Sequence, residues 1–195
     1  SMLAEGNIAT LNGYQKRGGV KKIVTTCPHC FNTLGHEYPD FGGRFSVEHH
    51  TSFLLDLVEQ GKLIPSNGVA RQVAYHDSCY LGRYNGIYDP PRELLKRIPG
   101  VEVVEVPHWN RARGLCCGAG GAQMWMEEQN QDRVNVKRTL QLIDTGAKTL
   151  ASACPFCMTM ITDGIKAHGR DDIQNQDVVE LLAASCLSQG MEGPS

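Results

Sequence analysis

The sequence of 195 residues has no strong excess of either charge: 19 Lys and Arg stand against 21 Asp and Glu, a formal net charge of −2. That leaves no electrostatic reason to expect nucleic acid or an anionic membrane surface as a partner. No apolar run approaches the roughly 20 residues that a membrane span needs, so no membrane contact by this chain itself is expected. No secretory signal is visible, and Ser1-Met2 reads as a processing remnant outside the fold. The glycines at 118–121 lack both the Walker A lysine and the full G-x-G-x-x-G, which argues against a nucleotide loop.

Cysteine, by contrast, is abundant, with eight residues. In a short secreted chain they would read as disulfides. This chain is long enough to bury its own core, with 41% apolar residues. Two of its cysteines are adjacent, Cys116 and Cys117, and four more form two Cys-Pro-x-Cys pairs. That pattern points to metal or redox chemistry in a reducing, cytoplasmic compartment.

The chain also repeats itself. Residues 19–55 align without a gap to 146–182 at a constant offset of 127. Gly-Val-Lys-Lys-Ile-Val-Thr-Thr-Cys-Pro-His-Cys at 19–30 corresponds to Gly-Ala-Lys-Thr-Leu-Ala-Ser-Ala-Cys-Pro-Phe-Cys at 146–157, and Leu54-Leu55 falls on Leu181-Leu182. Such a period is too long for a solenoid and reads as a duplicated module. Residues 71–190 then form a complete second module and residues 3–70 the C-terminal half of a first. Counterparts of Cys79, Cys116 and Cys117 would lie upstream, so the chain is expected to be the C-terminal piece of a longer protein.

Strand and helix signals alternate. Strands are expected at Ile23–Thr26, Arg71–His76, Lys148–Ala153 and Val101–Val106, the last at a sheet edge before Pro107. Helices are expected at Phe53–Gly61, Pro90–Ile98, Thr159–His168 and Asp177–Cys186, with a long one over 122–145. The expected fold class is α/β, with short parallel-type sheets flanked by helices and cysteines on loops at strand ends.

Five of the cysteines are regularly spaced. Residues 80–115 separate Cys79 from Cys116, residues 118–153 separate Cys117 from Cys154, and two residues separate Cys154 from Cys157. A two-residue gap lets both thiolates face one metal. Adjacent cysteines make a strained disulfide but can offer two sulfurs to different irons of a cluster. The spacing Cys-x36-Cys-Cys-Gly-x35-Cys-x2-Cys, with Leu-Cys-Cys-Gly-Ala-Gly-Gly at 115–121 and Tyr-His-Asp-Ser-Cys at 75–79, resembles the cysteine-rich CCG domain. That domain occurs in heterodisulfide reductases and in iron–sulfur subunits of glycolate, lactate and glycerol-3-phosphate oxidoreductases. The whole is most similar to actinobacterial membrane-linked iron–sulfur oxidoreductases, although the family usually has proline where Ser78 stands.

The resemblance implies that Cys79, Cys116, Cys117, Cys154 and Cys157 bind a 4Fe–4S cluster of noncubane form. Thiolates are the usual ligands of such clusters. Gly118, Gly120 and Gly121 would let backbone N–H groups approach the sulfurs, the positive end of the following helix would add compensation, and Arg111 and Arg113 would add charge. Zinc, in a closed tetrahedral thiolate site, is the alternative occupant. The implied role is electron transfer as a component of an oxidoreductase, heterodisulfide reductase-like or quinone-linked. Electrons would come from a flavin or Fe–S partner, whether another protein or upstream domains, and leave toward a quinone or disulfide. In the longer protein this chain would sit in the cytoplasm, at the inner membrane face. A structural zinc module that only docks subunits is the rival reading. Cys27 and Cys30 form a second, incomplete site and are expected to be free, disulfide-linked or weakly metallated.

Other residues take plainer readings. Cys186 is expected as a buried small hydrophobe, and Met124, Trp125 and Met126 as core or cluster-shielding residues. His76-Asp77 reads either as a satisfied strand-end pair or as a donor to sulfur. His49-His50 reads as helix capping or surface, and Tyr80 and Arg83 as pocket lining.

Overall fold

A computed structural model describes residues 2–19, 21–68, 71–126 and 132–186. In chain order the elements are α1 (Met2–Lys16), β1 (Ile23–Thr25), α2 (Pro28–Asn32), β2 (Val47–His49), α3 (His50–Glu59), β3 (Arg71–Tyr75) and α4 (Cys79–Gly82). They continue with α5 (Asp89–Lys96), β4 (Val101–Val104), α6 (Val134–Ile143), β5 (Thr149–Ser152), α7 (Pro155–Ala167), β6 (Gln174–Asp177) and α8 (Val178–Cys186). Among the described residues there are two sheets, both wholly parallel. One is β1-β2, and the other runs β4-β3-β5-β6. The α/β class expected from the sequence is the class observed, and β4 is an edge strand as expected.

Parallel strands covered on both faces are apolar throughout rather than alternating. Strand β5 fits, with all four residues buried. Alternate side chains of the sheet enter two separate cores. Ala74 and Leu150 face α6 and α7, where Leu142 and Ile161 are fully buried. Val73, Tyr75 and Ala151 face α5 and α8, with Leu94, Leu95, Leu181 and Leu182. The larger sheet is therefore the middle layer of a three-layer stack. No helix among the described residues is long and apolar enough to cross a membrane.

One strand–helix arrangement occurs twice in space. The order β1-α2-β2-α3 recurs as β5-α7-β6-α8, with parallel pairing in both, although the registers differ by one residue. Proline opens α2 and α7 alike, with Cys27 and Cys154 as the residues before each helix. Its fixed φ suits the first helical turn, and its missing N–H is no loss there. Residues at equivalent positions touch: His50 Nε2 lies 3.1 Å from Asp177 Oδ1, and the His29 and Phe156 rings are 4.9 Å apart. Contact between equivalent residues is the signature of a local two-fold relation.

Three expectations from the sequence need correction. The helix over 122–145 is not continuous. Gln123–Trp125 is one short 3-10 turn, residues 127–131 lie outside the described residues, and α6 starts at Val134. Gly121 and Ala122 both adopt left-handed backbone, which an α-helix cannot propagate through. Trp125 and Met126 are exposed rather than shielding anything, whereas Met124 packs on the core. His49 does precede and cap α3, accepting from the Thr51 N–H, but it is fully buried rather than on the surface.

Helices α6 and α7 cross at Gly164. A Cβ there would stand 2.7 Å from Thr139 Cβ and 3.1 Å from Asn135 O. Alanine gains about 1 kcal/mol in helix propensity. Overpacking a fitted contact costs about 1–3 kcal/mol, and here, with the obstacle close to the helix backbone, the upper part of that range, about 2–3 kcal/mol, applies. Gly164→Ala is expected to lower the unfolding free energy, net, by about 1–2 kcal/mol. Urea unfolding of the metal-free protein checks this, and an unchanged or raised midpoint would contradict it.

Candidate metal centre

Connections from three strands converge on one cleft. After β3, residues 76–78 are buried and lead to Cys79, the first residue of α4. After β4, the chain passes through a short 3-10 turn at Arg111–Arg113 and reaches Cys116 and Cys117. After β5, Cys154 precedes α7 and Cys157 sits in its first turn. The chain leaves β3 toward β4 on one side and leaves β5 toward β6 on the other. The cleft therefore opens outside the carboxyl ends of β3 and β5, at the point where the winding direction reverses. Open α/β sheets place their ligands there.

All five cysteines line this one cleft, and their sulfurs act on one another as a row: Cys79 on Cys116, Cys116 on Cys117, Cys117 on Cys157, and Cys157 on Cys154. Cys117, Cys154 and Cys157 are buried, while Cys79 and Cys116 are half-buried. The space between them has room for several water-sized bodies, more than one bare ion would fill. Ser78, Tyr80, Ala119, Gly120 and His29 complete its wall.

The electrostatics of the row alternate. Donation from Cys117, then from Cys79, holds Cys116 well below the ordinary thiol range, and the Gly118 N–H adds a contact to its sulfur at 3.4 Å. Donation from Cys157, together with His29, lowers Cys154 to about 5. The donors move the other way: Cys79, Cys117 and Cys157 are all pushed up, first by these bonds and then by burial. The cysteines thus pull in opposite directions, two favouring the thiolate and three the thiol. Ionising all five needs a cationic group in the cleft, which metal binding supplies as it displaces the protons. The donor set is soft sulfur throughout, matching iron–sulfur or zinc chemistry.

Of the three glycines, Gly118 does bring its N–H to a sulfur, that of Cys116, as expected, while the other two act differently. Gly118 has φ +87°, and a Cβ on it would stand 3.2 Å from the Asn135 nitrogen and Val134 Cβ. Besides the starts of α4 and α7, which carry Cys79 and Cys154, the start of α6 thus lies beside the cysteines, brought in by folding and not by the next residues in sequence. Gly120 lines the cleft with open space where a Cβ would be. Gly121 has φ +65° and serves the turn that follows. Arg111 is occupied elsewhere, pairing with Asp89 at 2.7 Å. The guanidinium that acts on Cys79, lowering it, is that of Arg83, which also donates to Gly114 O at 3.0 Å.

Cys27 and Cys30 do not line this cleft; Cys27 is half-buried and Cys30 exposed. Between Cys27 and the cleft stands His29, its Nδ1 3.7 Å from Cys27 Sγ and its ring 4.0 Å from Tyr80. Cys186 lies apart, half-buried against the second core.

Residues 73–162 match the family model described as the cysteine-rich domain, CCG. This stretch is a CCG domain. It contains all five sulfurs of the row and none of Cys27, Cys30 and Cys186. Over 191 residues the chain is 49% identical to the "Probable iron-sulfur-binding oxidoreductase FadF" of Bacillus subtilis, covering 97% of this chain and 26% of that protein. Over 188 residues it is 43% identical to the EtfAB:quinone oxidoreductase of Syntrophomonas wolfei, covering 92% and 26%. Over 184 residues it is 35% identical to one subunit of the dihydromethanophenazine:CoB–CoM heterodisulfide reductase of Methanosarcina barkeri, covering 93% and 44%. The chain thus spans between a quarter and a half of the length of these relatives.

Two arginines around the CCG cleft were not visible as site residues in the sequence. Arg92, from α5, binds Asp77 through both carboxylate oxygens at 2.7 and 2.9 Å, and Glu105 at 2.6 and 2.9 Å. Arg138, from α6, is fully buried and donates from Nε to His76 Nδ1 at 3.0 Å. Each acts across a long stretch of chain, so no local motif announces it.

Proposed function

We propose that this chain is an electron-transfer module of an iron–sulfur oxidoreductase, with Cys79, Cys116, Cys117, Cys154 and Cys157 holding the cluster. The single observation that carries the reading is the gathering of these five cysteines around one cleft. Relatives named as iron–sulfur-binding, quinone-linked and heterodisulfide-reducing proteins support it. The proposed group is a 4Fe–4S cluster of noncubane form, since adjacent Cys116 and Cys117 suit two different irons. When bound, it supplies a one-electron carrier near the protein surface. The protein's own part is to exclude water on the buried side through Cys117, Cys154 and Cys157, and to leave the Cys79–Cys116 side open for a partner.

The proposed partners are a flavin or Fe–S donor and a quinone or disulfide acceptor, in other subunits or upstream domains, with the module at the cytoplasmic face of the membrane. Residues 3–70 are proposed as half of a first module, with Cys27 and Cys30 its remaining ligands, and 71–190 as the second. Of these, residues 20, 69–70, 127–131 and 187–190 lie outside the described residues. Anaerobic reconstitution of the full chain, with iron, sulfide and zinc measured on one sample and EPR recorded before and after reduction, tests the cluster. About four irons and a matching sulfide count are expected. A protein with all thiols reduced that takes up zinc and no iron would overturn the reading in favour of a structural zinc module.

A further inference from the structure

His76 follows β3 and is fully buried. Its Nδ1 receives the Arg138 Nε–H at 3.0 Å. A guanidinium only donates, so Nδ1 must carry the lone pair and the ring proton belongs on Nε2. Nε2 is itself buried and has no hydrogen-bond partner among the described residues. A ring nitrogen of His76 lies within 4.8 Å of both Cys117 Sγ and Cys157 Sγ. Native folds rarely leave a buried N–H without an acceptor, so an orphan of this kind marks a partner that belongs in the site.

Building on the proposed function, we infer that His76 Nε2–H donates a hydrogen bond into the five-cysteine cleft, to a cluster sulfur or a Cys117 or Cys157 thiolate, and raises the cluster's reduction potential. Reduction adds negative charge that spreads over iron and sulfur. A fixed donor stabilises that charge more in the reduced state than in the oxidised one, and hydrogen bonds to the sulfurs are a main determinant of cluster potential. The buried setting strengthens the effect. Arg138 is the positioning residue. It is held by Trp109 O and Gln141 Oε1, both at 2.9 Å, and its bond to Nδ1 fixes the ring and its tautomer. The same bond argues against His76 as an iron ligand. Ligation through Nε2 would require the proton to move to Nδ1, where the Arg138 N–H already points.

The experiment uses the reconstituted full chain and its His76→Leu and His76→Gln variants, with iron content, midpoint potential by EPR-monitored titration, and nitrogen hyperfine coupling in protein labelled with 15N-histidine. Expected are unchanged iron, a fall in the His76→Leu potential equivalent to about a tenfold shift in the reduction equilibrium, or 59 mV for one electron, and recovery of most of that fall in His76→Gln, whose amide still donates. The labelled wild-type protein should show only weak nitrogen coupling, a readout that does not depend on any variant folding. An unchanged potential in His76→Leu overturns the inference and leaves the cluster assignment standing. Strong nitrogen coupling together with lost iron overturns it in favour of direct ligation. A wild-type protein that binds no cluster overturns the proposed function itself.

Discussion

Replacing Cys157 by serine is expected to leave the reconstituted protein with less than about a tenth of the wild-type iron and sulfide, because removing even an outer-shell partner costs about 10–100-fold in metal affinity. Cys157 is the most demanding of the five positions. It is fully buried, stands between Cys117 and Cys154 in the sulfur row, and is fixed by the first turn of α7. Serine keeps the size and the helix but replaces a soft thiolate with a hard hydroxyl that stays protonated near neutral pH. Fold and packing should survive, so the loss reads on ligation alone. Cys186→Ser is the matched control. It removes a thiol from the same chain without touching the cleft, and it should retain full iron. Iron and sulfide assays with EPR decide the matter. A Cys157→Ser protein that keeps both its iron and its signal would remove this cysteine from the ligand set.

The cysteines were legible because their spacing is a property of the sequence. Three strand ends each contribute one or two sulfurs, and regular gaps between them survive as a pattern. The alternation of apolar β-branched runs with helical runs pointed to the α/β class for a similar reason: β5 is buried on every side and its residues say so. What escaped notice was whatever depends on partners far along the chain. Strand β6 reads Gln-Asn-Gln-Asp, with no strand signal. It forms because β5 offers a free edge, with Gln174 N bonded to Lys148 O, so pairing overrides propensity. Strand β2 is three residues long and depends likewise on β1. The long helix over 122–145 failed because apolar spacing does not register a left-handed Ala122. Arg92 and Arg138, in the electrostatic frame of the site, look like ordinary helix-surface arginines until the fold buries them, whereas Arg83, read from the sequence as pocket lining, stays exposed.

Arg92→Met is expected to lower the unfolding free energy of the metal-free protein by about 3–5 kcal/mol, the cost of leaving one partner of a buried ion pair uncompensated. Against a typical total of about 5–15 kcal/mol, that is a large share. The reason lies in what Arg92 holds. Asp77 is 5% exposed, and its carboxylate takes both Arg92 bonds plus the Arg111 N–H at 2.6 Å. Removing the guanidinium strands that charge in the core. Glu105 loses its bonds too, but its side chain is 37% exposed and can turn to water. The damage should reach the cleft, because Asp77 ties the turn before Cys79 to the 111–113 turn that precedes Cys116. Adding Asp77→Asn to Arg92→Met removes the stranded charge and should restore a substantial part of the stability, whereas independent sites would simply add their losses. Urea unfolding under reducing conditions measures the cycle, and iron retention after reconstitution reports on the cleft. If Arg92→Met unfolds within about 1 kcal/mol of wild type, or the double variant is weaker than the single, the pair is not a buried charge clamp and the turn before Cys79 must be held by the backbone alone.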